Sequence, residues 1–196
     1  MLPQQPLITP NSFYATPYSK PSPAQQSPVT VFFISGNPGL IAYYHTFLSV
    51  LSAKLSGVQK DGPSFQIYGR SLGGFGLGER SDSSAKCYDL EEQICFVQSE
   101  LDKFINECAR TDDDASPEKA RRKVILVGHS VGSYIAMEIL RRHRERTREE
   151  ATDFDIVGGV MLFPTVVDIA KSPAGQKLTV CPASTPPWLS AEVYEY

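Results

Sequence analysis

The sequence predicts an α/β fold, with a mostly parallel sheet, helices on both faces, and an incomplete carboxyl end. Continuous apolar runs rich in β-branched and aromatic residues, typical of strands buried on both faces, recur along the chain. Stretches with apolar residues every three or four positions, typical of helices, separate these runs. Strands that alternate with helices imply crossover connections and therefore parallel strands.

The composition is that of a soluble protein. The 196 residues suit one domain, of which 41% are hydrophobic and 21% charged. A net charge of −3 does not indicate a nucleic-acid partner, and no apolar run reaches the length of about 18 residues that predicts a transmembrane segment. The first residues lack the pattern of a secretory signal. The four cysteines have no metal-ligand spacing, so no metal site is predicted and a reducing compartment is favoured.

Three segments are predicted along the chain. Residues 1–28 hold seven of the fifteen prolines, and because proline blocks helices and removes ladder donors, a disordered Pro-rich arm is expected there. Residues 29–180 are expected to form the folded core. Residues 181–196 have no helical or strand period and are expected to be an irregular tail.

The first half of the core is expected to hold two strands and one helix. Residues 29–35 predict a buried strand, which ends in a turn at 36–39 and leads into a helix over 41–55. Residues 65–68 predict the next strand, and a glycine-rich loop follows over 69–78. Because the loop lacks the Gly-Lys-Ser/Thr of a phosphate cradle, it is interpreted as a flexible loop at the carboxyl edge of the sheet.

The second half continues the alternation. An amphipathic helix is predicted over residues 88–109, and a short buried strand at 124–127 leads through a tight turn into another helix. That helix ends in a basic cluster at 141–146, which either stabilises the helix carboxyl end or contacts anionic lipid or protein. A final strand is predicted over 156–163.

The tight turn contains the motif Gly-x-Ser-x-Gly, with Ser130 at its centre. A nucleophilic serine on a sharp strand-to-helix turn needs neighbours without side chains, here Gly128 and Gly132. The motif by itself also occurs in structural glycine-rich turns. The strand before it and the helix after it favour a nucleophile elbow.

A serine nucleophile also needs hydrogen-bond donors for the oxyanion. Val131 directly follows Ser130, so its backbone N–H is the first predicted donor. The turn after the first strand is expected to offer the second. Within that turn Pro38 has no N–H, so the backbone N–H of Asn37 is the second predicted donor.

The general base is not evident from the sequence. In proteins with such an elbow, the nucleophilic serine comes first along the chain, then the carboxylate, then the histidine. The only histidines of this sequence are His45, His129 and His143. His143 lies about 20 Å along the helix from Ser130, and His129 is expected to point away from Ser130 into a packed, hydrogen-bonded site. His45 is a weak candidate for the base. Asp168 is a weak candidate for the acid, because no histidine follows it.

Several longer motifs carry a resemblance. They are Phe-Ile-Ser-Gly-Asn-Pro-Gly at 33–39 followed by Tyr43-Tyr44 and Phe47-Leu48, Leu-Glu-Glu-Gln-Ile at 90–94, Leu-Val-Gly-His-Ser-Val-Gly-Ser-Tyr-Ile at 126–135, and Leu-Phe-Pro-Thr at 162–165 with Ala170, Ser172-Pro173 and Gly175. In these motifs, which span about residues 29–178 in order, the sequence resembles the lipid droplet-associated hydrolase family.

The resemblance implies an α/β-hydrolase fold and a serine esterase or lipase-like activity on neutral lipid esters, with sterol esters as one class. It also implies a location on the surface of lipid droplets, or otherwise in the cytoplasm, and no cofactor is predicted. The family's nucleophile maps onto Ser130. Its acid, its histidine and part of its lid or droplet-binding insertion map onto no residue here, so the sequence is interpreted as a truncated form that turns over poorly.

Two other functions stay open. A non-catalytic lipid-droplet or scaffold protein would retain a partial hydrolase fold for binding. An acyltransferase or thioesterase would use the same fold with another acceptor or acyl donor, because a fold does not determine the reaction.

Overall fold

The computed structural model describes residues 5–16, 28–58, 63–78, 87–111, 121–146 and 154–165. The chain divides into two compact units, Met1–Pro164 and Thr165–Tyr196, and the sheet and helices belong to the first. The predicted end of the core at residue 180 and the tail over 181–196 lie outside the described residues.

Six strands form one sheet in the order β1-β2-β4-β3-β5-β6. The strands are β1 (Leu7–Thr9), β2 (Ser12–Ala15), β3 (Val29–Ile34), β4 (Phe65–Arg70), β5 (Arg122–His129) and β6 (Phe154–Leu162). The four strands from β3 to β6 run parallel, whereas β1 and β2 pair antiparallel. The prediction of a mostly parallel α/β sheet is confirmed.

Helices cover both faces of the sheet. A 3₁₀ turn (Ile41–Tyr44) leads into α1 (His45–Val58), which packs on one face around the buried Leu48. On the other face lie α2 (Leu90–Thr111) and α3 (Val131–Glu145), which bury Leu101 and Ile135 among their apolar residues. The β-branched and aromatic residues of β3 are all buried because this strand lies in the middle of the sheet, with helices on both sides.

Helix α2 begins with a reciprocal hydrogen-bonded cap. The Asp89 carboxylate accepts a hydrogen bond from the Glu92 N–H at 2.8 Å, and the Glu92 carboxylate accepts one from the Asp89 N–H at 3.1 Å. This capping box satisfies two backbone donors that the first helical turn leaves without partners. The amphipathic helix predicted over 88–109 is thus confirmed, with its ends shifted by two residues.

The prediction of a disordered arm is wrong for residues 7–15, which form the hairpin of β1 and β2. The prolines of this segment lie beside the strands, since Pro6 precedes β1 and Pro10 lies in the turn, so neither removes a ladder donor. Phe13 is fully buried in the core beneath α1. The parts of the arm at 1–4 and 17–27 lie outside the described residues.

The glycine-rich loop after β4 lies at the carboxyl end of that strand, as predicted. It is tied to its neighbours by hydrogen bonds: the Leu72 N–H donates to the Gly39 carbonyl at 2.8 Å, and the Gly73 N–H donates to Gln93 Oε1 at 2.9 Å. Its far end exchanges two hydrogen bonds with the side chain of Asn11, in the turn of the hairpin. The loop therefore links the hairpin, α2 and the turn after β3.

Candidate active site

Ser130 lies on a sharp bend between β5 and α3. Its backbone has φ 51° and ψ −122°, a left-handed conformation that side-chain-bearing residues rarely adopt. The Ser130 N–H donates to the Leu162 carbonyl at the end of β6, at 2.9 Å, and the Ser130 carbonyl accepts from the Ser133 N–H at 3.0 Å. The strand–bend–helix context that the motif demands is present, whereas the role of Ser130 as nucleophile remains a prediction.

The glycines of the motif are required by close backbone packing. A Cβ on Gly128 would lie 2.4 Å from the Gly132 carbonyl oxygen, and a Cβ on Gly132 would lie 2.4 Å from the Ile34 carbonyl oxygen. Both distances are far below van der Waals contact. The first turn of α3 is thereby pressed against the end of β3, and the buried Ser133 hydroxyl adds a hydrogen bond to the Gly128 carbonyl at 2.8 Å.

The turn after β3 lies directly beside the bend. A Cβ on Gly36 would lie 2.9 Å from Ser130 Cβ and 2.8 Å from the His129 carbonyl oxygen, so this position also has room only for glycine. The turn is closed by a hydrogen bond from the Gly39 N–H to the Gly36 carbonyl at 2.7 Å. Asn37 follows Gly36, and its peptide bond to Pro38 is cis. Asn37 and Val131, the two predicted oxyanion donors, thus belong to segments that meet at Ser130.

Tyr44 joins these two segments. Its hydroxyl accepts a hydrogen bond from the Gly36 N–H at 3.1 Å and lies 3.0 Å from His129 Nδ1. Its ring packs on Phe33 and on His129, with centroid distances of 4.7 and 5.6 Å. Burial raises the pKa of the Tyr44 phenol, although the hydrogen bond from Gly36 opposes the rise, so the hydroxyl keeps its proton at neutral pH.

Tyr44 belongs to the Tyr43-Tyr44 pair of the family motif, but the sequence does not predict a role for it at the site. Two tyrosines are adjacent in the sequence, and only their burial distinguishes them: Tyr43 is 71% exposed, whereas Tyr44 turns toward the sheet. The pattern of a glycine turn followed by two tyrosines at a helix start is the only signal that points to this position. Which ring faces the bend depends on how the 3₁₀ turn is oriented.

Each of the three histidines packs against an aromatic ring. His129 is hydrogen-bonded to Tyr44 and contacts Phe163 edge-on at 6.0 Å, in agreement with its predicted packed role. His143 stacks on the Phe154 ring at 5.1 Å, in the last turn of α3, and burial there lowers its pKa.

His45, the weak candidate for the base, lies at the start of α1 near the Phe13 ring, with 6.3 Å between centroids. Phe13 belongs to β2, three strand spacings or roughly 14 Å from β5. Nε2 of His45 is buried without a hydrogen-bond partner among the described residues, and burial lowers the pKa of this imidazole. The structure does not bring His45 to Ser130. Asp168, the weak candidate for the acid, lies outside the described residues.

Two hollows lie near the carboxyl ends of β3 and β4, beside the glycine-rich loop and α2. Their linings share Arg70, Leu72 and Phe96 and do not include Ser130. The Arg70 guanidinium there is paired with the Glu100 carboxylate at 2.8 Å. Neither hollow is therefore part of the bend at Ser130.

Comparison with known proteins shows the family of this chain. A family model described as lipid-droplet associated hydrolase matches residues 27–194. The chain belongs to the lipid droplet-associated hydrolase family. Members of this family from Dictyostelium discoideum, Gallus gallus and Homo sapiens are 29%, 26% and 24% identical to it over 139, 156 and 165 residues.

These matches cover 71%, 74% and 76% of this lipid droplet-associated hydrolase family member, and 38%, 40% and 41% of the respective relatives. The chain therefore spans about two fifths of the length of the curated relatives it matches. Among the described residues, no helix has both the length and the apolar character needed to span a membrane.

Solved structures show the fold of this family member. A putative hydrolase from Agrobacterium vitis superimposes with a TM-score of 0.53 at 18% identity, over 94% of this chain and 54% of that one. A soluble variant of monoglyceride lipase from Saccharomyces cerevisiae superimposes with a TM-score of 0.50 at 15% identity, over 91% of this chain and 51% of that one. At these identities the likeness concerns the fold alone. The predicted α/β-hydrolase fold is confirmed.

Proposed function

We propose that this protein is a serine hydrolase of neutral lipid esters, sterol esters among them, that acts through an acyl-enzyme at Ser130. The observation that carries the proposal is the left-handed backbone of Ser130 at a bend against which the turn after β3 is tightly packed. Such a bend exposes a hydroxyl at the amino end of a helix, where unpaired backbone N–H groups favour negative charge.

The reaction begins with attack of the Ser130 hydroxyl oxygen on the ester carbonyl carbon. The carbonyl oxygen becomes an oxyanion, which the N–H groups of Asn37 and Val131 stabilise. The bond from carbon to the alcohol oxygen then breaks, and the alcohol leaves with the proton of the serine hydroxyl. Attack of water on the acyl-enzyme releases the carboxylic acid and restores Ser130.

Turnover by this chain is proposed to be slow. A general base contributes about 10²- to 10⁴-fold to such reactions, and all three histidines of the chain pack against other groups. Ser130 is therefore expected to form covalent adducts with strongly electrophilic reagents, while hydrolysis of ordinary esters is slow. The non-catalytic scaffold remains the alternative that these histidine positions favour.

The lipid-ester substrate and a peripheral location on lipid droplets are proposed from the names of the relatives. Flotation of the purified chain with phosphatidylcholine-coated triolein droplets tests the location. We expect the chain to float with the droplets. Recovery of the chain only in the aqueous fraction would contradict this part of the proposal.

Reaction with a fluorophosphonate tests the nucleophile. Attack of Ser130 on phosphorus forms an O–P bond and breaks the P–F bond, so fluoride and the hydroxyl proton leave and the intact mass rises by one phosphonyl group. We expect slow, stoichiometric labelling that Ser130→Ala abolishes and that Ser56→Ala, a change on α1, leaves intact. Absence of labelling in the wild-type chain would reject Ser130 as the nucleophile and support the scaffold alternative.

Steady-state turnover of a short p-nitrophenyl ester tests the claim of slow hydrolysis. We expect a rate far below about 1 s⁻¹, the lower end of ordinary enzymes. A Ser130-dependent rate within the ordinary range would show that a base is present and would reject slow turnover while leaving the nucleophile in place.

A further inference from the structure

We propose that Tyr44 is a positioning residue whose hydroxyl sets the distance between the two oxyanion donors beside Ser130. This inference rests on the proposed function, because it concerns the donors Asn37 and Val131 of that reaction. Tyr44 itself would not touch the substrate. Its hydroxyl would act through the two backbone segments that it joins.

The two donors belong to segments far apart in the sequence. One is the turn after β3, where Asn37 follows Gly36, and the other is the bend where Val131 follows Ser130. Tyr44 bonds the N–H of Gly36, directly before Asn37, and the ring of His129, directly before Ser130. One hydroxyl therefore connects both segments within a residue or two of each donor.

The proposal assigns a direction to each of the two hydrogen bonds of the Tyr44 hydroxyl. A backbone N–H only donates, so the Tyr44 oxygen accepts from Gly36. The phenol has a single hydrogen, and the proposal assigns His129 Nδ1, 3.0 Å away, as its acceptor. This assignment requires the neutral imidazole tautomer with its hydrogen on Nε2. In this assignment, the Gly36 N–H donates to the Tyr44 oxygen, and the Tyr44 hydroxyl donates to His129 Nδ1.

The packing around Tyr44 leaves it little freedom. Its ring lies against Phe33 of β3 and the imidazole of His129 at the end of β5, two adjacent parallel strands. Contact between Gly36 and the bend prevents the two segments from moving closer, because a Gly36 Cβ would already lie 2.7 Å from His129 Nδ1. Packing thus opposes approach, while the Tyr44 hydroxyl opposes separation. The distance between the two donors is therefore restrained against both decrease and increase.

The test is Tyr44→Phe, which removes the hydroxyl and keeps the ring. In fluorophosphonate labelling, the donors hydrogen-bond to the phosphoryl oxygen only as the O–P bond forms. Their misplacement therefore lowers the rate of bond formation and has little effect on the initial affinity for the reagent. We expect the limiting labelling rate to fall by about 10- to 100-fold, with the half-saturating concentration unchanged. Tyr43→Phe is the matched control, since the neighbouring Tyr43 side chain is 71% exposed, and it should label like the wild-type chain.

A second variant pair tests the acceptor. His129→Asn keeps a side-chain oxygen near the position of Nδ1 and should retain more of the labelling rate than His129→Leu, which keeps no acceptor. The ¹⁵N shift of His129 Nδ1 gives a direct signature: it should report an acceptor nitrogen in the wild-type chain and move in Tyr44→Phe. A substitution that only destabilised the fold would lower the fraction of protein that is labelled. It would leave the labelling rate of the folded fraction unchanged, and that result would count against a positioning role.

The failures of the two proposals are distinguishable. If wild-type Ser130 is not labelled, the nucleophile is rejected and the positioning role falls with it. If the wild-type chain is labelled and Tyr44→Phe is labelled at the same limiting rate, the positioning role of Tyr44 alone is overturned and the proposed function stands.

Discussion

At the scale of single residues, the space around Ser130 is limited by backbone atoms. Gly128 meets the backbone of Gly132, and Gly132 meets the carbonyl oxygens of Ile34 and Ser35. Backbone atoms cannot rotate away as a flexible side chain can, so an added methyl group must move α3 or β3. These glycines are therefore structural requirements of the bend whether or not Ser130 reacts.

The change Gly132→Ala tests this requirement. Its Cβ would lie 2.4 Å from the Ile34 carbonyl oxygen and 2.6 Å from that of Ser35, so we expect the free energy of unfolding to fall by about 1–3 kcal/mol or more. Urea denaturation measures the change. The matched control is Gly158→Ala in β6, where the nearest heavy atom would be 3.9 Å away; a loss as large there would show that close packing at Gly132 is not the cause.

At the scale of elements, the β1–β2 hairpin is part of the folded unit and not a loose arm. Strand β2 pairs with β4 over four residues, from Ser12 with Arg70 to Ala15 with Ile67. Phe13 contributes a large apolar side chain to the core under α1. The hairpin extends the sheet beyond β4, so the edge that β4 would otherwise expose is covered.

Phe13→Ala measures the contribution of the hairpin. Removal of a fully buried phenylalanine ring is expected to lower the free energy of unfolding by about 3–5 kcal/mol. Ile8→Ala, in the neighbouring strand but 46% exposed, should change it by about 0.5 kcal/mol or less. Equal, small effects in urea denaturation would support the disordered arm that the sequence alone predicts.

The carboxyl end of α3 carries a network of charges with a measurable pH dependence. Hydrogen bonds from Arg141 first, and then from Arg142, lower the pKa of the Glu138 carboxyl from 4.5 to about 2. Since the folded pKa lies below the unfolded one, the network stabilises the fold above about pH 4.5, and this contribution is lost as the pH falls toward 2. The basic cluster thus has intrahelical acidic partners.

A carboxyl titration by ¹³C NMR checks this assignment. Arg141→Gln should raise the pKa of Glu138 toward its ordinary value because it removes the stronger donor. Arg144→Gln, on the same helix turn, is the control and should leave the titration of Glu138 unchanged. A Glu138 carboxyl that already titrates near 4.5 in the wild-type chain would contradict the network.

At the scale of the whole molecule, the parallel strands bring the ends of β3, β5 and β6 to one edge of the sheet, where the candidate site lies. Two cores hold this arrangement, one beneath α1 and the other beneath α2 and α3. The histidines are distributed across the molecule: His45 lies on the β2 side, His129 faces Tyr44, and His143 packs on Phe154.

This distribution predicts the pH profile of fluorophosphonate labelling. If no histidine assists Ser130, the reactive form is the serine alkoxide, and the rate should rise about tenfold per pH unit from about pH 5 to about pH 9 without a plateau. The rate for Ser130→Ala gives the background to subtract. A bend in the profile near the ordinary histidine pKa of about 6.5 would show histidine assistance and contradict the prediction.

Much of this architecture could be read from local patterns. The parallel strands, the three helices and the bend at Ser130 each depend on residues that are close in sequence, such as the buried run of β3 or the motif between β5 and α3. The turn with Asn37 and the bend with Val131 lie at one edge of the sheet because they follow the carboxyl ends of the parallel neighbours β3 and β5, whereas the role of both residues as donors stays a prediction.

The amino-acid sequence by itself determined the order of strands and helices from β3 to β6, the position of the bend, and the family, since apolar periodicity and contiguous motifs are local properties. Only the tertiary structure decided that β2 joins the sheet through β4 and that Tyr44 joins Gly36 to His129. These contacts form between residues as far as 85 positions apart, and their partners are selected by the packing of whole elements, which no local pattern encodes.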